Sequence, residues 1–139
     1  MKDTGLPVRT AYTTLLKGLG FNCYDYKAPD SATVPYIILG SQNQQPEDTK
    51  NRFGYRSTIN LDFVMSFKDQ YGGRKQLDLM VNTVLEALKP EPGQVGISVT
   101  GFSIYGTTIP MQFDFPPEVE NTQTIYRRVI TIEHLLEQQ

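Results

Sequence analysis

From Tyr55 to Ser66 the chain reads as a long strand of alternating character, and this run constrains the fold more than any other feature. Ile59, Leu61, Phe63 and Met65 fall on one face of an extended strand and Arg56, Thr58, Asn60 and Asp62 on the other, the period-2 signature of a half-buried strand. Tyr71-Gly72-Gly73 breaks the alternation. Leu77, Met80, Val81, Val84, Leu85 and Leu88 then recur at helical spacing. A strand with one apolar face followed by an amphipathic helix calls for a layered architecture. No catalytic constellation lies inside or beside this unit, which points to a scaffold that presents surfaces.

The flanking sequence supplies the other layers. Pro7 suits the first turn of a helix, with Thr4 or Gly5 as its cap. Val8, Ala11, Tyr12, Leu15, Leu16 and Leu19 form the stripe of that helix, and Gly18 and Gly20 end it. Phe21–Tyr26 and Pro35–Ser41 read as strands, the second entered through its proline. Pro90-Glu91-Pro92-Gly93 stops the second helix. Val95, Ile97 and Val99 alternate into a further strand running on to Ile104, with a bend or bulge at Gly101. Thr122–Leu136 is the last strand, and Arg127-Arg128 within it sends one charge to each face. The order α-β-β-β-α-β-β gives an α+β fold: an antiparallel or mixed sheet with two helices packed on one face. Its other face meets water or a partner.

Two segments fit neither period and are expected to be long loops, residues 42–53 and 108–121, within a single domain spanning residues 1–139. The first is polar, with Glu47, Asp48 and Arg52 leading to Phe53; the second carries Met111, Phe113 and Phe115 between Pro110 and Pro116-Pro117. Two readings of the second stay open: a strand extension packed on its own core, or an arm whose apolar residues are buried against another chain. Glu47, Asp48, Arg52, Phe53, Met111, Phe113 and Phe115 are the candidate partner-binding residues.

Composition excludes several functions. The 139 residues carry a formal charge of −2, whereas a dedicated nucleic-acid binder shows a basic excess on one face. One cysteine, Cys23, forms no intrachain disulfide and reads as a small core filler. His134 is the only histidine, which argues against a hydrolytic triad or a histidine-rich metal site; it is expected to be solvated or partly packed. Glu47-Asp48 and the Glu118/Glu120 pair lack calcium-loop spacing, and Gly72-Gly73-Arg74-Lys75 lacks phosphate-loop spacing, reading instead as a hinge with exposed basic residues. No catalytic residue, cofactor or metal is expected. No apolar run suits a signal peptide or a membrane helix, so a soluble protein is expected.

The run Pro35-Tyr36-Ile37-Ile38-Leu39-Gly40, a polar loop, then an alternating strand ending in Phe67-Lys68-Asp69-Gln70-Tyr71-Gly72-Gly73 and a helix resembles the tail-completion or tail-terminator proteins of tailed bacteriophages. The likeness extends to the leading helix, 6–19, and the closing strand, 122–136. It implies a ring, usually a hexamer, that caps the tail tube, stops its polymerisation and docks on the head connector. It further implies a virion protein assembled in the bacterial cytoplasm, without cofactor, whose lumen passes DNA unread. The length and apolar content of residues 108–121 depart from short family members. The alternatives are a head-completion adaptor on the portal and, from other classes, a small enzyme or a nucleic-acid-binding module.

Overall fold

The computed structural model describes residues 1–68, 74–120 and 122–139. The Tyr71-Gly72-Gly73 break and the proposed hinge glycines lie outside them. The elements are α1 (Gly5–Gly18), β1 (Asn22–Asp25), β2 (Tyr36–Pro46), β3 (Gly54–Lys68), α2 (Lys75–Leu88), β4 (Phe102–Asp114), β5 (Glu118–Glu120) and β6 (Gln123–Gln138). They form the expected α+β architecture with one short strand more, β5. The sheet is mixed, ordered β1-β2-β3-β6-β4, with β5 also paired to β6; β1 runs parallel to β2 and the remaining pairs are antiparallel.

β3 and β6 form the spine. Ile59 pairs with Ile132 and Leu61 with Ile130, so the odd positions of β3 and the even positions of β6 face one way. Val8, Tyr12 and Leu16 of α1 and Leu77, Met80, Val81, Val84 and Leu88 of α2 are buried in the same apolar cluster as those strand residues. Leu85 packs at its margin. Both helices therefore cover the same sheet face. Thr4 takes the N-cap position of α1, yet its side chain makes no capping bond and its buried hydroxyl has no partner.

Both expected loops are largely strand. β2 continues through Pro46, pairing Asn43 with Thr58 and Gln45 with Arg56 across a bulge after Leu39; only residues 47–53 connect it to β3. β4 runs to Asp114, and β5 occupies Glu118–Glu120. The cause is the length of β3 and β6, 15 and 16 residues, whose backbone groups recruit neighbours whatever their side chains.

The converse correction concerns Val95–Val99, which alternates without joining the sheet. Ile97 and Val99 are buried, and the Gly96 N–H donates to the Leu88 carbonyl at 2.8 Å, holding the segment against α2. A methyl group at Gly96 would lie 1.8 Å from the Ala87 carbonyl oxygen. Gly96→Ala must lift the segment from the helix and is expected to cost about 2–3 kcal/mol, read as a lower urea midpoint. Gly18→Ala, whose methyl meets nothing within 4 Å, is the control expected to leave the midpoint unchanged or slightly raised.

Candidate functional site

The sheet face opposite the helices is the surface with most to offer a partner. Its centre is polar and internally satisfied: the Asn60 amide donates to the Ser41 hydroxyl at 2.6 Å, and the Thr131 hydroxyl donates to the Asn60 carbonyl oxygen at 2.7 Å. Arg56 donates to Glu47 at 2.8 Å and Glu133 at 2.9 Å, and Arg127 pairs with Asp62. Arg56, Thr58, Asn60 and Asp62 thus occupy the second face as their alternation requires. Toward β5 the face opens into a groove of about 860 Å³ bounded by the 28–34 connection, Asp62, Glu118, Glu120 and Arg127.

The residues of the first expected arm are tied to their own chain. The Glu47 N–H donates to the Gly54 carbonyl at 2.7 Å, and the Gly54 N–H donates to Asp48 at 3.3 Å. Arg52 pairs with Glu137 of β6, and the Phe53 carbonyl accepts from the Gln138 N–H at 2.9 Å. A polar segment of this kind orders without a partner because charges on β3 and β6 meet its own. Phe53 remains 41% exposed.

Met111, Phe113 and Phe115 belong to neither the core nor a free arm. In β4, Met111 pairs with Thr131 and Phe113 with Val129, which places both on the open face. The Phe113 and Phe115 rings meet edge to face at a centroid distance of 5.0 Å, and the Arg127 guanidinium lies 4.9 Å above Phe115. Met111 and Phe113 are 54% and 50% exposed, an apolar strip lying beside the satisfied polar centre. Sequence reasoning missed Arg127 as a member of this strip. The signal was available, since Arg127 shares strand parity with Val129 and Thr131.

The two candidate groups do not converge. Arg52 meets Glu137 whereas Phe113 sits opposite Val129, eight positions away along β6 and therefore about 26 Å distant. They are separate surfaces.

His134 departs from expectation. It is fully buried, its Nε2 2.5 Å from the Tyr12 hydroxyl and its Nδ1 2.8 Å from the Thr107 hydroxyl. Either neutral tautomer satisfies both contacts, donating from one ring nitrogen and accepting at the other. Burial pushes the imidazole down to about 4 and raises the Tyr12 phenol above its ordinary value. The arrangement bonds α1 to β6 and β4 and is sealed from solvent. Cys23 is half-buried at the core margin, where burial pushes its thiol up.

Among the described residues, no group of three or more His, Cys, Asp and Glu side chains could hold a metal ion, and no helix is long and apolar enough to cross a membrane. The accessible surface is 8217 Å². A compact monomer of 15.7 kDa would expose roughly 7,300 Å², so the fold leaves about 900 Å² more in water.

No protein-family model matches the chain, and neither does any curated protein sequence. Among solved structures, a chain in the virion of a native gene transfer agent particle has a similar fold, with a TM-score of 0.74 and 14% identity. The alignment covers 99% of this chain and 99% of that one, so the likeness takes in the whole arrangement of helices and sheet.

Proposed function

We propose that this chain is a structural subunit of a phage-type virion, acting at the head-proximal end of the tail as a ring that caps the tube and meets the head connector. The observation that carries the virion role is the end-to-end fold likeness to a virion chain. The tail-terminator position, a hexameric ring with DNA passing through its lumen, and docking to tail-tube and connector proteins rest on the sequence resemblance. The excess surface and the exposed strip at Met111 and Phe113 support assembly as the role of the fold. The reading assigns no reaction to the chain, in keeping with the enclosure of its one histidine in the core.

The test is particle mass in solution, measured for the chain alone and with a tail-tube protein and a head connector. A defined ring in the presence of these partners is expected. A chain that remains monomeric with both present overturns the reading. Phe113→Ala with Phe115→Ala should leave the thermal midpoint of the isolated subunit nearly unchanged and weaken assembly, because interface energy concentrates in a few aromatic anchors. A lower midpoint with assembly intact would instead assign the two rings to the stability of their own subunit.

A further inference from the structure

The strand edges are poorly suited to pairing between copies. β4, the outermost strand on its side, contains Pro110 and has bulges between Ile104 and Gly106 and between Thr108 and Met111. Proline and bulges are the devices that keep an edge strand from extending a sheet. At the opposite edge β1 is four residues long. At its end the Arg9 guanidinium donates to the Leu39 carbonyl at 2.9 Å and the Gly40 carbonyl at 3.1 Å, and the stretch of β2 beyond begins in a bulge before Gln42 and ends at Pro46. Neither edge offers a long, regular row of free backbone groups.

The apolar surface lies elsewhere, in two complementary places. One is the strip at Met111 and Phe113 on the open face. The other is a groove of about 500 Å³ on the helix side, between α1 and the 96–100 segment. Leu6, Pro7, Ala11, Leu15 and Ile97 line it, with threonines, a serine and Gly96, and none of its lining residues is charged. Leu6 is 73% exposed at its rim. The groove exists because Val95–Val99 stays out of the sheet and lies beside α2, leaving the outer flank of α1 uncovered.

We infer that successive copies of this chain associate head to tail, with Met111 and Phe113 of one copy seated in the groove between α1 and residues 96–100 of the next. The inference deepens the ring reading above and rests on it. The strip and groove lie on opposite sides of one sheet, so they cannot meet within a subunit or across a two-fold axis. They can meet only in a heterologous contact, the kind that closes into a ring when the rotation between copies allows. A ring subunit contributes roughly 800 Å² to each of two neighbours, and the surface left in water beyond a compact monomer's share, about 900 Å², supplies over half of what two such contacts cover. The satisfied polar centre of the sheet fits the uncharged rim beside such a contact, since its side chains need no new partners on burial.

The experiment is cross-linking in a Cys23→Ser background, with the tail-tube protein present and particle mass recorded in parallel. Chains carrying both Met111→Cys and Thr10→Cys are treated with a short bis-maleimide, and a second pair, Phe113→Cys with Thr14→Cys, is treated in the same way. A covalent ladder ending at the ring's subunit number is expected from a doubly substituted chain. A mixture of the two singly substituted chains should yield covalent dimers containing one chain of each kind, and either chain alone should yield none, as a heterologous contact demands. Tyr105→Cys with Asn43→Cys reports edge pairing. A ring that is cross-linked only through that edge pair, or through none of the pairs, overturns this inference and leaves the ring reading standing. Absence of any assembly by the chain carrying Cys23→Ser alone overturns both.

Discussion

Phe63→Ala is expected to cost about 3–5 kcal/mol, a large fraction of the 5–15 kcal/mol that separates a folded domain of this kind from its unfolded chain. Phe63 is fully buried on the core face of β3, opposite Ile37 of β2, in the cluster that both helices enter. Removing the ring leaves a cavity that rigid neighbours on a central strand cannot close. Chemical denaturation should show a much lower midpoint at unchanged slope. A loss below about 1 kcal/mol would mean that the helices do not seal this face.

The second large effect is on acid stability, through His134. Its folded pKa of about 4 lies below the ordinary 6.5, so from pH 6.5 downward the unfolded chain takes up a proton that the native state refuses. Stability contributed by this difference is complete above pH 6.5 and is lost as the pH falls toward 4, at about 1.4 kcal/mol per pH unit. Between pH 6.5 and 5, where few carboxylates have begun to titrate, the loss is about 2 kcal/mol, and by pH 4 it reaches roughly 3 kcal/mol. Urea midpoints across that window provide the measurement. His134→Gln, which removes the titrating group, should be less stable at neutral pH and nearly flat between pH 6.5 and 5. Equal slopes in the two proteins would assign the acid response to other groups.

The spine of the fold was legible because burial and backbone geometry agree there. Ile59, Leu61, Phe63 and Met65 alternate because one face of β3 is covered, and the α2 stripe recurs at helical spacing for the same reason. Gln42–Pro46 carried no such signal. Its side chains are exposed or half-exposed to either side, so its extended backbone follows from pairing with β3 and not from its own residues. Val95–Val99 fails in the opposite direction: alternation reports alternating burial, and burial here comes from packing over the core without a hydrogen-bonded neighbour strand. His134 could have been placed from parity alone, since Ile130, Ile132 and Leu136 put every even position of that stretch inside. A rule about residue type outweighed the geometry. The candidate surface was half-legible. Met111, Phe113 and Phe115 are together, the first two exposed and Phe115 partly buried, while Glu47, Asp48 and Arg52 are engaged within their own chain.

β6 lies between β3 and β4 although it comes last among the strands, and this arrangement sets an order of events during folding. Its pairs with β3 join residues as much as about eighty positions apart, as between Tyr55 and Leu136, so the central ladder closes only after a large loop has been ordered. α1, β1, β2 and β3 can gather earlier, since they are contiguous. Until β6 arrives, however, β3 presents an open edge 15 residues long with the core behind it uncovered, the kind of edge that captures other chains. A polypeptide interrupted before Gln123 therefore has β1, β2 and β3 on one side and β4 on the other, with no strand to join them.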